Sequence, residues 1–327
     1  MATFRLLHIS DLHFSVQPRR LDAFARVRRG FQEQQVLRAL FQIRLSGLYS
    51  SHDQDLARAV AEFALYNRHI LDGIVITGDL ATTGLLDDLS AALSYIEEPA
   101  SIGVSTIGRT PTLAAAGLNL CLLPGNHDRY SSELGAPGGT EFDRLFSKYW
   151  ETGSRIESVI FEREGGKLAI VCADFSLMDA NHVDRRRLIG RFGQGRVYNN
   201  VLSDLEAETN ELRAAHSPIG IIWAVHFPPK SPRNEWLLRL IRGQKLVSSA
   251  RMHGIHHIIA GHIHSDLTYA AGARPAVAVY CAHSACSMSF DGGNGFQVLQ
   301  IDVAGSHVAI SEEAYEWNDD EGDFLRL

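Results

Sequence analysis

The chain has few cysteines, and they are not arranged in pairs. Four cysteines occur among 327 residues, without a Cys-x-x-Cys motif. A zinc knot or a disulfide framework would need such pairing, so we expect neither. Cys121 and Cys172 lie inside apolar runs typical of strands, which indicates reduced thiols in a protein core.

The sequence also shows neither a long apolar run nor the pattern of a secretion signal. No apolar run approaches the ~18 residues of a membrane span. Residues Met1 to Arg5 lead directly into a strand pattern, without the basic and then apolar segment of a secretion signal. We therefore expect a cytoplasmic protein without a membrane span.

The chain lacks a net positive charge. It has 31 Lys and Arg residues against 38 Asp and Glu, a net charge of −7. This balance gives no overall attraction for nucleic acid or an anionic membrane, so any affinity for phosphate must be local. Lysine is scarce, and the arginines concentrate in two segments, residues 19–44 and 185–196. Each segment either attracts phosphate near a site or is a solvated surface, and we favour a solvated face for residues 19–44.

An ordinary globular composition, with 45% hydrophobic and 21% charged residues, indicates a folded chain with a sizeable core. Short apolar strands alternate with amphipathic helical patterns, which is typical of an α/β protein. We expect a single domain over residues 1–327. Residues 14–51 read as a basic helical insertion packed on that domain, because apolar residues recur there at helical intervals.

A polar motif follows the apolar run Asn119 to Leu123. Pro-Gly ends this run, so Asn126, His127 and Asp128 fall on the loop at the carboxyl end of a predicted strand. Ligands bind at that end in open α/β sheets. Alone, the motif could equally be a polar turn held by local hydrogen bonds.

Four other predicted strands end in the same kind of residue. Side chains two apart on an extended segment point the same way, so each Asp-x-His or His-x-His pair should face one site. Five such ends in one chain favour a shared site over five unrelated turns. The groups are Asp11 and His13 after Phe4–Ile9, Asp79 after Ile74–Ile76, His226 after Ile219–Val225, and His262 and His264 after His257–Ala260.

These side chains predict a metal centre. Carboxylate, imidazole and amide oxygen ligands without thiolate suit Mn, Fe, Zn or Co rather than Ca or a structural zinc. The strand ends carry more candidate ligands than one ion can take. Two ions ~3.5 to 4 Å apart that share a carboxylate would use most of them, and would clamp the attacking and leaving oxygens of a phosphoryl displacement.

The motif series resembles the calcineurin-like metallophosphoesterase superfamily, and within it the bacterial class III cyclic nucleotide phosphodiesterases and related enzymes. The resemblance implies the metallo-dependent phosphatase fold, a four-layer αββα sandwich of two mixed β-sheets flanked by helices. It also implies two metal ions, with Asp79 bridging them. Asp11, His13, Asp79 and His264 would hold one ion, and Asp79, Asn126, His226 and His262 the other.

By the same resemblance, His127 would donate a proton to the leaving oxygen or stabilise it, and Asp128 would orient the His127 ring. Attack on phosphorus would come from a hydroxide on the two ions. The segment Leu80 to Gly84 does not match the acidic and arginine signature of the Ser/Thr protein phosphatases, which disfavours that branch.

The expected activity is hydrolysis of a small phosphodiester such as a cyclic nucleotide. The two arginine-rich segments keep open a nuclease or a phospholipid-headgroup phosphodiesterase, with nucleic acid as a substrate only. A non-catalytic scaffold of the same fold is a third interpretation, disfavoured because the ligand set is complete. The sequence also leaves open whether the protein forms a homodimer.

Overall fold

The computed structural model describes residues 1–16, 52–97, 111–131, 136–179, 193–230, 238–287 and 293–327. The predicted insertion at residues 14–51 and the arginine-rich segment 185–196 lie largely outside the described residues.

Strands and short helices alternate through the first two thirds of the chain, and strands dominate the last part. The helices are α1 (Gln54–Tyr66), α2 (Leu86–Ile96), α3 (Glu141–Leu145), α4 (Asn199–His216) and α5 (Gly243–Met252). The strands are β1 (Ala2–Ile9), β2 (Gly73–Ile76), β3 (Asn119–Leu122), β4 (Ile156–Arg163), β5 (Gly166–Ala173), β6 (Gly195–Arg196), β7 (Gly220–Val225), β8 (Leu240–Ile241), β9 (His257–Ala260), β10 (Leu267–Ala271), β11 (Val277–Cys281), β12 (Gly295–Ala304), β13 (His307–Asn318) and β14 (Asp323–Arg326).

The strands form two six-stranded mixed sheets and a small pair. In the first sheet the order is β14-β13-β12-β1-β2-β3, with β1, β2 and β3 parallel and β12 antiparallel to β1. In the second sheet the order is β10-β11-β9-β7-β5-β4, with a parallel centre and an antiparallel strand at each edge. Strands β6 and β8 pair separately.

The period of two along β5 explains how the layers stack. Leu168, Ile170 and Cys172 belong to the core shared with the first sheet. The alternate residues Ala169 and Val171 belong to a second core that includes apolar residues of α4 and α5. Because β5 is covered on both faces, its sequence is almost continuously apolar.

Helix α1 covers the outer face of the first sheet. The ring of Phe63 lies 4.6 Å from that of Phe296 on β12 and 4.9 Å from that of Tyr315 on β13. The layers therefore run helix, sheet, sheet, helix, and the predicted fold class is confirmed. No helix among the described residues is long and apolar enough to cross a membrane.

Several predicted elements are wrong in extent. The sequence predicts a helix over residues 235–250, but within the described residues 238–250 the helix begins only at Gly243, because Arg242 has a left-handed backbone with φ 64° that a continuous helix cannot contain. Residues 240–241 before it form β8. The sequence also predicts a helix over residues 141–150, and in the structure this helix ends at Leu145.

The sequence predicts an acidic tail containing Asp319, Asp320, Glu321 and Asp323, whereas the structure has a β-hairpin there. Strand β13 pairs with β14, and residues 319–322 form the turn between them. The side chains of β13 are mostly exposed or half-buried, so its sequence does not show the apolar run of a buried strand. Strand β4 is also half-buried along most of its length, so the sequence pattern does not predict it either.

Candidate metal centre

The polar strand ends of both sheets meet at one edge of the sandwich. Strands β1, β2 and β3 of the first sheet and β7 and β9 of the second end there. Hydrogen bonds join the sheets at this edge. The His262 N–H donates to Asp11 Oδ2 over 2.9 Å, and His226 Nδ1 lies 2.7 Å from the carbonyl oxygen of Thr77.

Five predicted ligands have left-handed backbones. The φ angles are 54° at Asp11, 52° at His13, 53° at Asp79, 71° at His262 and 47° at His264. The argument from extended segments is therefore wrong about the backbone, although each pair does reach the same site. A left-handed conformation costs a non-glycine residue roughly 1–2 kcal/mol. The packing at this edge therefore stabilises these ligands in a backbone conformation that is locally unfavourable.

A first cluster forms around the Asp11 carboxylate. Its Oδ1 lies 3.1 Å from His264 Nε2 and 3.8 Å from His13 Nε2. His13 Nε2 in turn lies 3.9 Å from Asp79 Oδ2. Asp11, His13 and His264 thus offer converging atoms that could hold a metal ion.

A second cluster forms on the other side of Asp79. Asp79 Oδ2 lies 3.2 Å from His226 Nε2, which lies 3.1 Å from His262 Nδ1. The amide oxygen of Asn126 is 3.2 Å from the same His226 nitrogen. Asp79 contacts both clusters, so one carboxylate could serve two ions.

His127 also borders Asp79. Its Nε2 lies 4.0 Å from Asp79 Oδ2, and His13, Asp79 and His127 form a third group that could hold a metal. Geometry alone therefore allows His127 either a ligand's role or a proton donor's.

Backbone carbonyls decide which ring nitrogens face the clusters. His226 Nδ1 contacts Thr77 O, and His262 Nε2 contacts Gly193 O at 2.8 Å. Because a carbonyl only accepts, the contacting nitrogen carries the proton and the other is free to bind a cation. Sequence reasoning missed these partners, and no residue type signals them, since every residue has a carbonyl.

The donor atoms suit a cation. Among the described residues, both ring nitrogens of His13 are buried without a hydrogen-bond partner. Burial, and then the charge of His127, lower the pKa of His13 to about 3, so its ring is neutral and able to ligate. Burial alone would raise the pKa of Asp79, but His226 and His127 hold it well below its usual range. Ionised carboxylates beside neutral imidazoles are the ligand states that transition metals take.

The pKa of His226 predicts that cation binding releases a proton. Burial lowers this pKa, but Asp79, Asp11 and the Thr77 carbonyl together outweigh burial and raise it to about 9. A cation at Nε2 must displace the proton there, so the affinity for Mn²⁺ should rise with pH below that value, by up to about tenfold per unit. Titration calorimetry at about pH 7 and about pH 8, in buffers of different ionisation enthalpy, measures both quantities. Equal affinities without proton release would contradict this expectation.

Asp128 does not orient His127 as expected. Its carboxylate accepts from three backbone N–H groups, those of Leu80, Ala81 and Gly125, at 2.8 to 3.1 Å. The ring of His127 is held by the carbonyl of Thr82, 2.7 Å from Nδ1. Asp128 therefore ties the loop after β2 to the loop after β3.

Asp128→Asn should destabilise the fold by about 3 kcal/mol, because an amide NH₂ would face backbone donors that need an acceptor. Urea unfolding at about pH 8 measures this, above the pKa of about 7 that burial and Asp79 give the carboxyl. Asp204→Asn, on the exposed face of α4, is the matched control. An unfolding midpoint equal to that of the control would show that the three contacts contribute little.

Arg129 also holds the loop after β3 in place, through ion pairs. Its buried guanidinium pairs with Asp143 at 2.7 Å and with Asp174 at 2.8 Å, just beyond the end of β5. Arg155 completes the network with a 2.9 Å contact to Asp174. The sequence places Arg129 next to the motif but does not reveal partners that come from distant segments.

Two mixed sheets with carboxylates and histidines gathered at one edge define the metallo-dependent phosphatase class. The chain belongs to the calcineurin-like phosphoesterase family, whose family model matches residues 4–266. That range runs from β1 through the loop after β9 and includes every predicted site residue. A comparison with curated proteins gives no match.

The solved structures that match this chain include three with low sequence identity. A predicted phosphoesterase of Streptococcus pneumoniae is 10% identical, with 100% of this chain and 98% of that chain covered and a TM-score of 0.35. Vps29 of Entamoeba histolytica complexed with Zn²⁺ is 9% identical, with 99% and 98% covered and a TM-score of 0.36. Vacuolar Protein Sorting 29 of Cryptosporidium parvum is 10% identical, with 99% and 96% covered and a TM-score of 0.38.

Proposed function

We propose that the protein is a binuclear metal-dependent phosphodiesterase that hydrolyses a small phosphodiester such as a cyclic nucleotide. The observation that carries the proposal is the position of Asp79 between two ligand clusters, 3.2 Å from His226 and 3.9 Å from His13. One carboxylate facing two sets of ligands is the arrangement that a pair of bridged ions requires.

In this proposal each cluster holds one cation. Asp11, His13 and His264 would hold the first and Asn126, His226 and His262 the second, with Asp79 shared. Two cations there would supply an activated water and neutralise charge on the phosphoryl oxygens. The protein's own contribution is to fix these side chains through strained backbones and buried hydrogen bonds.

His127 is the proposed proton donor. The Thr82 carbonyl holds Nδ1, so the ring presents Nε2 to the cluster beside Asp79. The doubly protonated ring can pass its Nε2 proton to the leaving oxygen of the ester, which would otherwise depart as a poorly stabilised anion, while Nδ1 keeps its proton on the Thr82 carbonyl. Thr82 thereby orients the His127 ring, which is the role that the resemblance implied for Asp128.

The low exposure of the site supports a small substrate. Side chains of the candidate ligands are nearly all buried, whereas His264 keeps 29% of its side-chain surface exposed. A phosphodiester would therefore approach beside His264.

We also propose that residues 1–327 form one domain, because strands from both ends of the chain share the core between the sheets.

Hydrolysis of bis-p-nitrophenyl phosphate with added Mn²⁺ tests the activity. Turnover that requires Mn²⁺ is the expected result, and the absence of turnover in protein shown to bind metal would overturn the proposal. A panel of cyclic nucleotides, dinucleotides, glycerophosphodiesters and single-stranded DNA then tests the substrate class. Preference for DNA or for glycerophosphodiesters would favour the nuclease or the headgroup phosphodiesterase instead. Protein that binds no metal even after reconstitution would favour the scaffold.

A further inference from the structure

We propose that Tyr130 is a positioning residue that sets the orientation of the Asn126 amide, so that its oxygen and not its nitrogen faces the second cation. The inference rests on the proposed function, since it concerns a ligand of that metal site. The juxtaposition behind it is a buried tyrosine hydroxyl in contact with the far end of a candidate ligand.

The two ends of the Asn126 amide contact different partners. Asn126 Nδ2 donates to the Tyr130 hydroxyl oxygen over 2.7 Å, and Asn126 Oδ1 lies 3.2 Å from His226 Nε2. The two ends of an asparagine amide have nearly the same shape, but only the oxygen can bind a cation. A fixed acceptor for the nitrogen is therefore what directs the oxygen to the site.

Tyr130 itself is held firmly. It is 2% exposed, and its ring lies 4.8 Å from the ring of His127. Its N–H donates to the His127 carbonyl over 3.1 Å, and its backbone pairs with Pro137. Gly84 packs closely on it, since a Cβ there would lie 2.4 Å from the Tyr130 carbonyl oxygen. The hydroxyl is thus a rigidly held hydrogen-bond acceptor for the amide.

Removing the hydroxyl should weaken one metal site selectively. In Tyr130→Phe the amide nitrogen loses this acceptor, and rotation by half a turn would point N–H groups at the cation. Loss of a partner that orients a ligand typically lowers metal affinity about 10- to 100-fold. The affinity for the other cation, held by Asp11, His13 and His264, should not change.

Titration calorimetry with Mn²⁺ on the full chain measures the two affinities separately. Tyr95→Phe is the matched control, because Tyr95 is also 2% exposed and its hydroxyl donates to the Ala57 carbonyl over 2.7 Å, within the helical layer. Both variants lose one buried hydroxyl, so urea unfolding should show similar losses of stability. Only Tyr130→Phe should lose affinity for one Mn²⁺.

A double variant separates orientation from packing. With Asn126→Asp, both ends of the side chain are oxygen atoms, and either can face the cation. Adding Tyr130→Phe to Asn126→Asp should therefore cost little further affinity for Mn²⁺, whereas Tyr130→Phe alone should cost about 10- to 100-fold.

The outcomes distinguish this inference from the proposed function. If the parent protein binds two Mn²⁺ and Tyr130→Phe binds both as tightly as Tyr95→Phe does, the inference is overturned and the proposed function stands. Equal losses for Tyr130→Phe in the Asn126 and Asn126→Asp backgrounds would also overturn it. A parent protein that binds no Mn²⁺ would overturn both.

Discussion

Asp79→Asn should remove hydrolysis of bis-p-nitrophenyl phosphate and reduce metal content at both sites. The carboxylate faces both ligand clusters, so an amide there weakens each one and removes the charge that offsets two cations. Metal ions contribute several kcal/mol of charge stabilisation to such reactions, and about 4 kcal/mol corresponds to about 10³ in rate. Steady-state kinetics and elemental analysis of the purified variant measure both effects.

Asp204→Asn makes the same chemical change on the exposed face of α4, so it should keep parental activity and metal content. Unfolding curves of the two variants show whether Asp79→Asn is folded. Folded Asp79→Asn that retains two metal ions and parental turnover would contradict the bridging position of Asp79.

His127→Ala should lower turnover by about 10²- to 10⁴-fold, the usual contribution of a positioned general acid, while the metal content stays that of the parent protein. The reason is that Nε2 is proposed to carry a proton to the leaving group rather than to ligate. Asn126→Ala should show the converse pattern, with affinity for one of the two cations lost. Mn²⁺ titrations and turnover of the chromogenic ester are compared for both variants.

The control is His256→Ala, an exposed histidine just before β9. The position of His127 beside Asp79 and His13 makes the experiment decisive, since the three could also hold a metal together. A metal site emptied by His127→Ala would show that His127 is a ligand, and its proposed role as proton donor would be wrong.

The outcome for Asn126, His127 and Asp128 shows how far a motif can be interpreted. Their place at the end of β3 was predictable, because Pro-Gly ends an apolar run at once. The role of each of the three residues was not predictable. Asp128 accepts three backbone N–H groups, and Thr82 supplies the contact to His127 that Asp128 was expected to make. Leu80 and Ala81 lie more than 40 residues from Asp128 along the chain, and Thr82 lies equally far from His127.

The sequence by itself determined the fold class and which polar side chains follow the strand ends that meet at one edge of the sandwich. Apolar runs fix buried strands through the area they remove from water, and Gly or Pro fixes where those strands stop. Only the tertiary structure decided the backbone of the ligands and the partners that orient them. Left-handed turns at Asp11 and His13 are locally unfavourable, and packing between the two sheets overrides that preference. The carbonyls of Thr77 and Gly193 could not be foreseen, because a backbone group carries no residue-specific signal until the chain has folded around it.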